Sequence, residues 1–139
     1  MAGHRSKTYR LQLSDEGTDL FLSCHSRLAR IARNFIPYGA TLSVALILAD
    51  AMNAEELVAE LAMPSCKRLA GKKDHYVGAS AHLRPFAAHI IERIARSDHI
   101  SVRPTIGRLY LAAIAVMAAS EEQALAKAYR RLPSLFQQG

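Results

Sequence analysis

The tetrapeptide Arg30-Ile-Ala-Arg33 recurs 63 positions later as Arg93-Ile-Ala-Arg96. At the same offset Leu20 matches Leu83, Cys24 matches Ala87, Leu28 matches Ile91 and Ala32 matches Ala95. With one extra residue in the second copy, Thr41-Leu42 matches Thr105-Ile106, and Leu46, Ile47, Leu48 and Ala49 match Tyr110, Leu111, Ala112 and Ala113. Four shared residues arise easily by chance in a chain rich in alanine and arginine, whereas an apolar register held over about thirty residues does not. The expected organisation is one domain: a first unit over about 7–62, a Pro/Gly/Lys linker over about 63–73, a second unit over about 74–119 and a C-terminal helix over about 120–132.

Both units read as strand, helix, helix. In the first, Tyr9, Leu11 and Leu13 alternate with Thr8, Arg10 and Gln12, and this period of two predicts a strand over 8–14 with one buried face. Asp15-Glu-Gly-Thr18 breaks it and offers N-caps. Leu20, Cys24, Leu28, Ile31 and Ala32 then recur at helical spacing, predicting a helix from about 18 to 34. Ile36-Pro-Tyr-Gly39 reads as a turn, and Thr41 as the cap of a strongly apolar helix running toward Ala62. In the second unit, residues 75–80 read as a strand with Val77 and Ala79 inward. A helix follows from about Leu83 to Ser97, and Pro104-Thr105 open the last core helix, Ile106 to about Ala118. Ser120-Glu-Glu-Gln123 has the capping-box pattern that starts the C-terminal helix. A lone strand leaves its backbone groups unsatisfied, so the two strands are expected to pair antiparallel over the helices.

Composition narrows the function classes. Eighteen Lys and Arg face twelve Asp and Glu, a net charge of +6, and the excess is uneven. Residues 1–40 carry six basic and three acidic side chains, residues 41–71 two and four, and residues 72–119 seven and three. Two basic blocks around a mildly acidic middle favour a polyanionic partner; a solubilising surface is the plainer alternative. The longest apolar run, Leu109 to Ala119, is too short to span a bilayer, which needs about 20 residues. With no signal-peptide pattern at the N-terminus, a soluble cytoplasmic protein with no membrane partner is expected. Cys24 and Cys66 form no CxxC pattern and are expected as free thiols, and the six histidines lack zinc-ligand spacing, so neither metal nor cofactor is expected. No nucleophile elbow, P-loop or GxGxxG occurs, and the adjacent carboxylates Asp15-Glu16 and Glu55-Glu56 do not face one another as an acid/base dyad does, which argues against an enzyme.

A doubled strand-helix-helix unit resembles the ribbon-helix-helix DNA-binding fold, normally made by two chains and here joined in one. Over about residues 8–119, the segments Leu11-Gln-Leu-Ser14, Val77-Gly-Ala-Ser80, Glu92-Arg-Ile-Ala-Arg-Ser97 and the Ala-rich last core helix look most like the VirC-operon accessory family of T-DNA and conjugative transfer. The resemblance implies a mainly α fold with a two-stranded antiparallel ribbon, a monomeric pseudo-dimer. It also implies double-stranded DNA as partner, with a relaxase or a ParA-like ATPase of a transfer complex as candidate protein partners. In such folds the outward strand side chains touch base edges, and the N-terminus of each second helix holds a phosphate. Carried onto this chain, the base readers are Thr8, Arg10 and Gln12 on one strand and His75, Tyr76, Gly78 and Ser80 on the other, the second a poorer set. The phosphate clamps are Lys7, Thr41 and Ser43, and Lys73, Arg103, Thr105 and Arg108. Arg27, Arg30, Arg93 and Arg96 are expected on solvated helix faces.

Two other functions fit. The same fold serves as a transcriptional repressor or antitoxin, although Ser134 to Gly139 is short for a toxin-binding tail. An all-α interaction module would leave Tyr9 to Leu13 as a strand without a partner.

Overall fold

The alternation at the start of the chain forms a strand, β1 (Ser6–Leu13), which pairs antiparallel with β2 (Lys73–Ser80) from Ser6 opposite Ser80 to Leu13 opposite Lys73. The structure, a computed structural model, describes residues 6–136; His4 and the last three residues fall outside them. Tyr9, Leu11, Leu13, Val77 and Ala79 are buried beneath the ribbon, while Thr8, Arg10 and Gln12 are exposed above it. An all-α fold is thereby excluded. The expected antiparallel pairing is present, and β2 begins two residues earlier than its apolar pattern indicates.

Helices fill the rest. α1 (Asp15–Ala32) follows β1 at once, capped by Ser14, whose hydroxyl accepts from the Gly17 amide. It starts earlier than expected because Ser14 serves both as the end of the strand and as the cap. α2 (Tyr38–Asp50) and α6 (Ile106–Ala119) pack against each other at the centre. Every residue from Thr41 to Ile47 and from Leu109 to Ile114 is buried, as expected of helices that are apolar all round. α1 packs on α6, and α5 (Leu83–Ala95) packs on α2.

The expected long second helix is two. α2 ends at Asp50, and α3 (Ala54–Ala62) restarts behind a capping box in which Asn53 and Glu56 bond reciprocally. The linker is structured as well: α4 (Pro64–Lys67) buries Cys66, Leu69 is buried, and the Leu69 carbonyl accepts from the Ser14 amide at 2.9 Å. Cys24 and Cys66 are both buried free thiols. α7 (Glu122–Arg130) and α8 (Leu132–Phe136) close the chain, with Phe136 edge-on to Phe86 at 5.0 Å. Ser120 does not cap α7; it C-caps α6, and its hydroxyl donates to the Val116 carbonyl. Among the described residues no helix is long and apolar enough to cross a membrane.

The two Arg-Ile-Ala-Arg copies occupy equivalent places, the last turn and C-cap of α1 and of α5. Two of the arginines in this region are not on solvated faces. Arg27 of α1 donates to the Met117 and Ser120 carbonyls at the end of α6. Arg93 of α5 donates to the Asp50 and Met52 carbonyls at the end of α2, both at 3.0 Å. α1 thus caps the end of α6, and α5 caps the end of α2.

Candidate nucleic-acid interface

The ribbon presents one open face. Register sets Thr8 opposite Gly78, Arg10 opposite Tyr76 and Gln12 opposite Asp74. Tyr76 is 65% exposed, and a Cβ built on Gly78 meets nothing within 4 Å, so this face is unobstructed. Gln12 Nε2 donates to Asp74 Oδ1 at 3.2 Å, which orients the amide. Asp74 was missed because the strand was expected to begin at His75; carrying the alternation of Val77 and Ala79 back one more pair would have found it.

Two expected readers are used otherwise. His75 stands opposite Leu11 on the core side, half-buried, with its ring nitrogen 3.1 Å from the Thr18 hydroxyl. The Ser80 hydroxyl donates to the Phe136 carbonyl at 2.6 Å, which ties the ribbon's end to α8.

The expected clamps divide more sharply. Thr41 does not cap α2, because the helix begins at Tyr38 after Pro37. Thr41 is 1% exposed and hydrogen-bonded to His25 Nδ1 at 2.7 Å, and the buried Ser43 hydroxyl donates to the Gly39 carbonyl. Neither can reach a phosphate. Lys73 pairs with Asp15 at 3.0 Å in solvent, a contact of little energetic weight. Arg103 is bonded to Glu92, and this bond holds the Glu92 carboxyl below its usual range. At α6, Thr105 is exposed and caps the helix, accepting from the Arg108 amide at 3.2 Å. The exposed Arg108 side chain also donates to the Leu61 carbonyl at 2.8 Å.

His25 gives a pH-dependent expectation. Burial lowers its pKa from the ordinary 6.5, so on acidification the unfolded chain takes up the proton first. Stability should fall as pH drops below about 6.5 and level off once the folded state is protonated too. Melting curves at about pH 7.5 and about pH 5 should show a larger drop in Tm for the native chain than for His25→Gln. Equal drops would place the acid sensitivity in other groups.

A groove of about 600 Å³ runs along the outer edge of β1 to the N-terminus of α6. Lys7, Arg10, Arg84 and Arg108 line it, with no acidic side chain among its lining residues. Among the described residues Lys7, Arg10 and Arg84 have no ion-pair partner. Arg84, at the corner between β2 and α5, carried no sequence signal. Tyr110 also lines the groove; it is 3% exposed, and its hydroxyl has no hydrogen-bond partner among the described residues. Burial, with a smaller contribution from Tyr9 and against the opposing charge of Arg84, pushes the Tyr110 pKa up to about 12. With this buried hydroxyl unbonded among the described residues, Tyr110→Phe should leave the fold intact and stabilise it by up to about 1 kcal/mol. A loss of stability in urea denaturation would mean that the hydroxyl has a partner in solution.

The corresponding end of α2 is closed. Gly39 sits against Gly78 and Ala79 of β2, and Leu132 and Phe136 of α8 help line the small cavity that remains there. The two edges of the ribbon are therefore unequal, that of β1 open and basic, that of β2 covered at Gly78 and Ala79. Compared with family models, with curated proteins and with solved structures, the chain matches none.

Proposed function

We propose that this chain binds double-stranded DNA as a fused ribbon-helix-helix pseudo-dimer, with the open ribbon face in the major groove. The observation that carries the reading is the projection of Thr8, Arg10 and Gln12 beside Tyr76 from one unobstructed face whose opposite side is core. A two-stranded ribbon fits the major groove, and these residue types suit its edges: arginine for guanine, glutamine for adenine, threonine for base or phosphate. Asp74 adds an acceptor suited to the cytosine amino group. Lys7, Arg84, Arg108 and the α6 N-terminus stand beside this face as phosphate contacts, on one side only. The target is accordingly asymmetric. The role that fits is an accessory factor at a plasmid-transfer or T-DNA border site, acting with a relaxase or a ParA-like ATPase in the cytoplasm; a repressor would use the same face on an operator.

Fluorescence anisotropy with a selected duplex tests it. Six phosphate contacts give a log-log salt slope of about −5. Arg10→Ala should cost about 1–3 kcal/mol and relax preference at one base position. Arg108→Ala should weaken all sequences alike and flatten the slope by about one unit. No binding at low salt, or a selected site that is a perfect palindrome with the two variants indistinguishable, would overturn the reading.

A further inference from the structure

Among Thr8, Arg10, Gln12, Asp74, Tyr76 and Gly78, which share the open face of the ribbon, Asp74 is the only acid. It is exposed, and among the described residues no cation pairs with it; its neighbour Lys73 pairs with Asp15 instead. A carboxylate beside base readers repels backbone phosphate, so a general affinity for DNA does not account for its place. Its partner across the ribbon is Gln12, whose Nε2 donates to Asp74 Oδ1 at 3.2 Å.

This bond has a chemical consequence. A carboxylate only accepts, so the Gln12 amide must turn its NH2 group toward Asp74; the opposite turn would set two acceptors against each other. One Nε2 hydrogen is then engaged, and the second hydrogen and Oε1 are left for a base. One donor and one acceptor match N7 and the N6 amino group of adenine in the major groove. Guanine presents two acceptors there, N7 and O6, and would face Oε1 with one of them. We propose, resting on the DNA-binding reading, that Asp74 is a positioning residue that sets the base preference of Gln12 to adenine. Asp74 gives up non-specific affinity to fix one amide, and its Oδ2 stays free for a cytosine amino group. Arg10 and Gln12 lie two residues apart, about 6.8 Å along a strand, so they meet different base pairs, which stack about 3.4 Å apart.

Anisotropy titrations with a duplex selected by the native chain test this. The pair read by Gln12 is the one whose preference Gln12→Ala abolishes, and a scrambled duplex of equal length reports non-specific binding. At that pair the native chain should prefer adenine about tenfold. Asp74→Asn should reduce this below about threefold, because an asparagine amide can either accept from Gln12 or donate to it. The same variant should bind the scrambled duplex about threefold tighter, having lost a negative charge, with preference at the Arg10 pair unchanged. Without DNA, the Gln12 side-chain amide proton facing the carboxylate should move upfield in the nuclear magnetic resonance spectrum of Asp74→Asn. A merely structural role would instead lower affinity for both duplexes together. That result, an unchanged adenine preference, another base at the Gln12 pair or an unmoved amide proton would overturn the proposal while the native chain still bound duplex. No binding to any duplex at low salt would remove the DNA-binding reading itself, and the proposal with it.

Discussion

Gly39→Ala should destabilise the fold by about 3 kcal/mol or more, although it adds one methyl group at a helical position where alanine is normally preferred. A Cβ at Gly39 would fall 2.8 Å from the Ala79 Cβ and closer still to the Gly78 carbonyl oxygen. Two of the three nearest obstacles are backbone atoms of a paired strand, so α2 or β2 must move as a body. That displacement would also disturb Thr41 and Ser43 in the following turn. Gly78→Ala is the control: its Cβ meets nothing, and the substitution should be neutral or slightly stabilising. Urea denaturation of the two variants should give a midpoint lowered for Gly39→Ala and unchanged for Gly78→Ala, with similar slopes. Comparable midpoints would show that α2 is not seated on β2 as described.

The Gly39 contact also explains where sequence reasoning stopped. The period-two pattern of Tyr9, Leu11 and Leu13 was sufficient to find β1, its buried face and its outward Thr8, Arg10 and Gln12, because alternation is a local signal. The antiparallel partner followed from an accounting argument, since a single strand cannot satisfy its own backbone. The start of α2 was not legible. Glycine after proline and tyrosine normally punctuates a turn, and Thr41 aligns with Thr105, a true cap. The deciding fact is that β2 occupies the space beside Gly39, a contact between residues about forty positions apart that no local pattern encodes. With α2 begun at Tyr38, Thr41 and Ser43 lie inside the helix as buried hydroxyls and not at its cap. Arg84 and Tyr110 were invisible for the same reason: their significance comes from the groove that β1, the start of α5 and α6 form together.

Replacing both Arg27 and Arg93 by Met should cost about 4 kcal/mol, about 2 kcal/mol from each, with the apolar stems retained. Each guanidinium donates to two carbonyls at or just past the end of a central helix, where the last turn lacks internal donors and the helix dipole favours a cation. Arg93 also meets the Asp50 carboxylate at 3.6 Å, with both side chains about one third exposed, so the ion pair adds little beyond the carbonyl bonds. The two sites share no partner, and their costs should add within about 0.5 kcal/mol. The substitutions also probe what the repeat means. The sequence offset pairs Arg93 with Arg30, yet Arg30 is exposed, and the corresponding cap comes from Arg27, about one helical turn earlier. If reciprocal capping locks the halves together, Arg30→Met should cost less than about 0.5 kcal/mol while Arg27→Met and Arg93→Met cost alike. A large loss at Arg30, or none at Arg27, would return the arginines to the solvated faces that periodicity alone assigns them.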